Sequence, residues 1–183
     1  MTERTEIRIT GFGGQGVVLS GHIIGRACAV HADMHATMIQ SFGPEARGSA
    51  CSTTLAVSDT EVLYPYIGRP DVFVVMSAEG YDKYRDELKD DGTLIYEKDL
   101  VRPTIKEGQP SFGVSSTRIA ETLGRAIVQN IVMLGFFAAV TGIGGGTARD
   151  LILGAPVFDG DIESLEADLD ELLQRAGWVT AGS

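Results

Sequence analysis

Four glycines fall within the six residues Gly11-Phe12-Gly13-Gly14-Gln15-Gly16, directly after the strand-like run Ile7-Arg8-Ile9-Thr10. Helical spacing resumes behind them in Val17, Val18, Leu19, Ile23 and Ile24, so the glycines join a strand to a helix. Residues without a Cβ let the backbone turn tightly and let a bulky anion approach the amides and the positive end of the helix dipole. Gly11, Gly13 and Gly16 also satisfy the dinucleotide pattern G-x-G-x-x-G. That pattern makes a second demand: an acidic residue about 20 positions on, at the tip of the next strand, to hold ribose hydroxyls. The next strand, residues 35–40, ends in Gln40 and Ser41, and no carboxylate follows until Glu45, beyond Pro44. The nicotinamide or flavin reading therefore lacks half its signature. The turn can serve another anion, or bind nothing.

A second group follows at once: Ser41, Phe42, Gly43, Pro44, Glu45, Ala46, Arg47, Gly48 and Ser49. Gly43-Pro44 marks a sharp turn, because proline fixes its own φ and glycine reaches conformations other residues avoid. Arg47 beside Gly48 can clamp a phosphate or carboxylate with its planar fork, or can pair with Glu45 on a solvated surface turn. Physics alone leaves both open.

The elements that must position these groups alternate along the chain. Strands are expected at 7–10, 35–40, 50–57, 72–76, 93–96 and 112–115. The unbroken apolar run Val72-Phe73-Val74-Val75-Met76 suits a parallel sheet covered on both faces. Helices are expected after Gly16, over 78–88 with Tyr81, Tyr84 and Leu88 inward, from Ser116 with Glu121 and Arg125 four apart, and over the apolar 131–140. Gly142 with Gly144, Gly145 and Gly146 reads as a helix stop rather than a second phosphate loop, since no Gly-Lys-Ser/Thr follows. A last amphipathic helix from Asp161 turns Ile162, Leu165, Leu169, Leu172 and Leu173 to one side. The fold expected is a three-layer α/β/α, Rossmann-like domain with a largely parallel sheet, one domain over residues 1–183. The 11–16 and 41–48 turns then share its carboxyl edge.

Composition removes several functions. Fifteen Lys and Arg against 25 Asp and Glu give a net charge of −10, which repels nucleic acid and anionic membranes. The greasiest run, 131–140, is too short to span a bilayer, and no leader pattern opens the chain, so a cytoplasmic protein is expected. The two cysteines, Cys28 and Cys51, stand apart with no C-x-x-C spacing, whereas an iron–sulfur cluster needs about four thiolates. His31 and His35 are four apart, but Ala32-Asp33-Met34 turns the chain between them, and His22 lies in the first helix, so no metal site is expected. Catalytic residues are expected to be absent too: no nucleophile elbow, paired carboxylates or thiamine-binding Gly-Asp-Gly segment occurs.

Gly-Phe-Gly-Gly-Gln-Gly-Val at 11–17, Ser-Phe-Gly-Pro-Glu-Ala-Arg-Gly at 41–48, Val57-Ser58-Asp59 and Arg69-Pro70-Asp71 occur in this order, with Asn130 and Met133-Leu134-Gly135 after them. In this the chain resembles the gamma subunits of 2-oxoacid:ferredoxin oxidoreductases, departing at Ser49, where a second glycine is common. The resemblance implies a gamma subunit inactive alone, working with alpha, beta and delta-type sister subunits that hold thiamine diphosphate, magnesium and iron–sulfur clusters, and passing electrons to ferredoxin. It implies coenzyme A contact through Gly11, Gly13, Gly14, Gln15, Gly16 and Arg47, and a subunit interface through Ser41, Phe42, Gly43, Pro44, Glu45 and Gly48. The alternatives are a free-standing dinucleotide-dependent oxidoreductase and a purely structural subunit.

Overall fold

The run that leads into the glycines becomes the middle of a six-stranded sheet. The computed structural model describes residues 4–41, 50–122 and 129–143. Along the chain it gives β1 (Thr5–Phe12), α1 (Val17–Arg26), β2 (His35–Ser41), β3 (Ala50–Ser58), β4 (Val72–Val75), α2 (Ala78–Tyr84), β5 (Thr93–Glu97), β6 (Ser111–Val114), α3 (Ser116–Thr122) and α4 (Gln129–Thr141). A π-turn, Ala27–His31, ends the first helix before β2 begins, so His31 and His35 belong to different elements. The strand order is β2-β3-β1-β4-β5-β6.

Every neighbouring pair is parallel from β1 through β6, while β3 runs antiparallel to both β1 and β2. The cause is spacing. A parallel crossover needs a dozen or more residues, and β2 and β3 are separated only by residues 42–49. The chain must therefore come straight back, and the alternation of strand and helix expected from sequence is interrupted once.

Side-chain alternation sorts the sheet into two cores. Ile7, Ile9, Val74 and Ile95 face α1, α3 and α4, where Val17, Ile24, Ala120, Met133, Leu134 and Phe137 meet them. Phe73, Val75 and Leu94 face the other way, under Tyr81, Tyr84 and Leu88 of α2 and its continuation. Both faces of β4 are thus covered, which is why its sequence has no polar interruption. Arg8, on the α2 face of β1, is buried by stacking 4.4 Å over the Tyr84 ring and pairing with Glu87 at 2.7 Å. Glu97, at the end of β5, is fully buried; its carboxylate accepts from Thr117 N at 2.9 Å, Asp99 N at 3.1 Å and the Ser116 hydroxyl, locking α3 onto the sheet. At the far end of α4, Gly142 takes a φ of 72° and donates to Ala138 O at 2.8 Å, a glycine stop. The expected helices around Arg125 and from Asp161, and the glycines 144–146, lie outside the described residues.

Candidate functional site

β1 and β4 are neighbours and parallel, yet the chain leaving β1 crosses to one face as α1 and the chain leaving β4 to the other as α2. Where connections part in this way, the ends of an open α/β sheet leave a crevice that suits a ligand. Residues 11–16 form its β1 side. Gln15 N donates to Phe12 O at 3.1 Å, and Gly14 and Gly16 take φ angles of 101° and 72°, a region that costs other residues about 1–2 kcal/mol. Gly13 and Gly14 are exposed, and a Cβ on either would meet nothing within 4 Å. α1 begins with no side-chain cap, so among the described residues its first-turn amides lack partners. The amides of Gly13, Gly14 and Gly16 also make no hydrogen bond among the described residues. An uncapped helix start fronted by open glycine backbone is chemically matched to an oxyanion.

Gln15 holds this arrangement from within. Its Oε1 accepts from Phe12 N at 2.7 Å and its Nε2 donates to Met76 O at 3.1 Å, so one carboxamide ties the end of β1 to the end of β4 across the crevice. Gly11 makes room: a Cβ there would stand 2.7 Å from Gln15 Oε1 and 2.9 Å from Val17 Cγ2. With the Gln15 side chain and amide both engaged inside the chain, Gly13, Gly14 and Gly16 are the open donors of the turn. Gly16 has a second constraint, since a Cβ would come within 2.6 Å of both Cγ and Nδ2 of Asn130 in α4. The sequence singled out Asn130 only as part of the family resemblance; nothing local in its spacing signals that it reaches the turn.

The topology also accounts for the missing ribose carboxylate. In the dinucleotide fold the acidic residue ends the strand beside β1. Here that neighbour is β3, which starts at this edge, with Ala50 opposite Phe12. β2 lies one strand further out.

Comparison with known proteins decides the class. The pattern of the pyruvate ferredoxin/flavodoxin oxidoreductase family matches residues 6–154. The 2-oxoglutarate synthase subunit KorC of Methanocaldococcus jannaschii is 42% identical over 146 residues, covering 76% of this chain and 76% of its own. The gamma subunit of a keto/oxoacid ferredoxin oxidoreductase from Geobacter sulfurreducens superposes with a TM-score of 0.78 at 30% identity, over 96% of this chain and 99% of that one. The chain belongs to this family. It is a gamma-type subunit of the 2-oxoacid:ferredoxin oxidoreductases. The same fold, at a TM-score of 0.85 and 21% identity, makes up 32% of a chain of the Magnetococcus marinus 2-oxoglutarate:ferredoxin oxidoreductase, solved with 2-oxoglutarate, coenzyme A and succinyl-CoA bound, and covers 100% of this one.

In this gamma-type subunit the second sequence turn is fixed only by its ends. Phe42, Gly43, Pro44, Glu45, Arg47 and Gly48 lie outside the described residues. Ser41 is exposed and pairs with Ser52, and Ala50 pairs with Phe12. Ser41 and Ala50, the described residues on either side of 42–49, therefore stand at the carboxyl edge of the sheet. Elsewhere the gamma-type subunit keeps Cys28 and Cys51 buried on separate elements, and burial pushes both thiols up. Among the described residues no three His, Cys, Asp or Glu gather as metal ligands would, and no helix is long and apolar enough to cross a membrane. A cleft of about 350 Å³ lies on the α2 face over Phe73, Leu88 and Leu94, rimmed by Arg85 and Lys106. None of its lining belongs to the glycine turn.

Proposed function

We propose that this subunit works within an assembled complex that turns a 2-oxoacid, coenzyme A and oxidised ferredoxin into acyl-CoA, carbon dioxide and reduced ferredoxin, and that it supplies no reacting group itself. Alpha, beta and delta-type sister subunits hold thiamine diphosphate, magnesium and the iron–sulfur clusters; two buried cysteines on separate elements do not fit a cluster that needs about four thiolates. The complex is cytoplasmic and touches neither membrane nor nucleic acid, and residues 1–183 act as one domain. The glycine turn receives an anionic part of coenzyme A, with Arg47 as its charged partner, while Ser41, Phe42, Gly43, Pro44, Glu45 and Gly48 press against a sister subunit. The observation that carries this reading is the set of open amides at Gly13, Gly14 and Gly16, standing before the uncapped start of α1 at the crevice.

Arg47→Ala in the complete complex tests it. A hydrogen bond to a charged group contributes about 1.5–3 kcal/mol, so KM for coenzyme A should rise roughly tenfold to a hundredfold with cofactor and cluster content unchanged. Unaltered coenzyme A kinetics in a complex that still assembles would leave Arg47 as a turn-shaping partner of Glu45 and end the ligand assignment.

A further inference from the structure

The chain between β3 and β4 turns apolar side chains outward. Leu63, Tyr64 and Tyr66 are 83%, 64% and 61% exposed, and the two tyrosine rings lie 5.4 Å apart across Pro65. Among the described residues Val30, Leu100, Ile105 and Phe112 are also exposed, but each stands alone in its stretch of chain, as scattered apolar residues on a surface normally do. The segment is nevertheless firmly held. Arg4 donates to Tyr66 O at 3.0 Å, Thr60 N to the Ser58 hydroxyl at 3.2 Å and Arg69 to Leu88 O at 2.7 Å, while Asp71 accepts from Glu6 N at 2.8 Å. A loop tied at both ends has its shape set before a partner arrives, which lowers the entropy cost of binding. Tyrosine suits such a place, since it offers a large contact area with only two side-chain torsions to fix.

Size and charge select the occupant. At about 150–250 Å² for a whole large side chain, the three residues present roughly 300–500 Å², the size of patch that is often functional on a single chain. A stable interface between two partners takes about 800 Å² from each, so this patch is too small to hold a second copy by itself. Two chains of net charge −10 also repel each other. The patch fits one contact among several in a permanent assembly, where interfaces are more apolar than in transient encounters. The Magnetococcus marinus chain, which carries this fold as 32% of its length, keeps it permanently beside other protein.

We infer that residues 63–66 are a docking surface for a sister subunit of the complex, with Leu63 and the two tyrosine rings seated in an apolar pocket on that subunit. This rests on the reading that the chain works within an assembled complex. The loop follows Ser58 and precedes Val72, at the end of β1 where Thr5 pairs with Val57. The glycine turn leaves the opposite end of this eight-residue strand, about 25 Å away. The two surfaces therefore face different neighbours, and a change at one leaves the other intact.

Tyr64→Ala combined with Tyr66→Ala, made in the co-expressed complex, gives the test. The affinity of the subunit for the remaining chains should fall by at least about tenfold, because buried tyrosines are among the residues on which interfaces most depend. Tm of the isolated subunit should stay within about 3 °C of wild type, since exposed side chains contribute little to its own fold. The complex that still forms should keep its KM for coenzyme A. With Leu63 replaced by the photo-crosslinker benzoylphenylalanine, the adduct should form with a subunit that co-purifies with thiamine diphosphate or a cluster. A crosslink to residues 144–183 of the same chain, a crosslink to a second copy, a larger loss of Tm or undiminished assembly of the double variant would each overturn the inference. In all four cases a wild-type complex that assembles leaves the parent reading standing. If the wild-type chain brings down no sister subunit, the two fall together.

Discussion

Replacing Gln15 by alanine removes both ends of the clamp between β1 and β4. The lost bonds are Phe12 N to Oε1 at 2.7 Å and Nε2 to Met76 O at 3.1 Å. Each neutral hydrogen bond contributes about 0.5–1.5 kcal/mol. The side chain is only half-buried, so water reaches the orphaned groups and the lower part of the range applies, about 1–2 kcal/mol in all. For a domain of this size that is a fall of roughly 2–8 °C in Tm, measurable by circular dichroism on the purified subunit. Gln15→Glu sharpens the test through its sign with pH. At neutral pH the carboxylate still accepts from Phe12 N but faces the Met76 carbonyl with no proton to give. Protonated, it regains that donor. Its folded pKa is therefore raised, the folded state binds the extra proton, and the deficit against wild type should shrink as pH falls towards about 4–5. A Gln15→Ala Tm within 1–2 °C of wild type, or a Gln15→Glu deficit flat with pH, would refute the clamp.

Gly16→Ala should destabilise by more than about 2 kcal/mol, since it combines a left-handed φ with a collision against Asn130; adding Asn130→Ala should recover part of the loss by denaturant titration, and no recovery would mean the collision is not real. The two cysteines should react slowly with a disulfide reagent in the native subunit, because burial raises both thiols, and both should titrate once guanidinium is added; fast native labelling would contradict their placement.

Most of the architecture was legible because its signals are local. Apolar continuity gave β4, the 3.6-residue spacing gave α1, and Gly142 gave the end of α4, each at nearly the right residue. The reversal at β3 was legible in principle from the eight residues 42–49, too few for a crossover, but β-branched composition alone carries no direction. The glycine turn was found for the right reason, its freedom from side chains. What could not be read was how it is held. Gln15 between two glycines looks like any polar turn residue, and its hold on Met76 spans 61 positions. Asn130 was visible only through the family resemblance, and its meeting with Gly16 exists only after α4 lies against α1. Arg8 was read as part of the strand-like run, but nothing local shows that Glu87 and the Tyr84 ring neutralise it from nearly 80 positions away.

The position of β1 at the heart of the sheet also sets when its turn can exist during synthesis. β1 has both flanks open until residues 50–58 and 72–75 have followed it off the ribosome, and Gln15 has nothing to grip until Met76 arrives. A turn that looks self-contained in the sequence is thus a product of distant pairing, and such contacts form late. Until then Ile7 and Ile9 are uncovered on a nascent chain, the condition under which strands find wrong partners. The same delay acts as an inspection step: only a subunit whose central strands have closed in the right order can present the glycine turn to the rest of its complex.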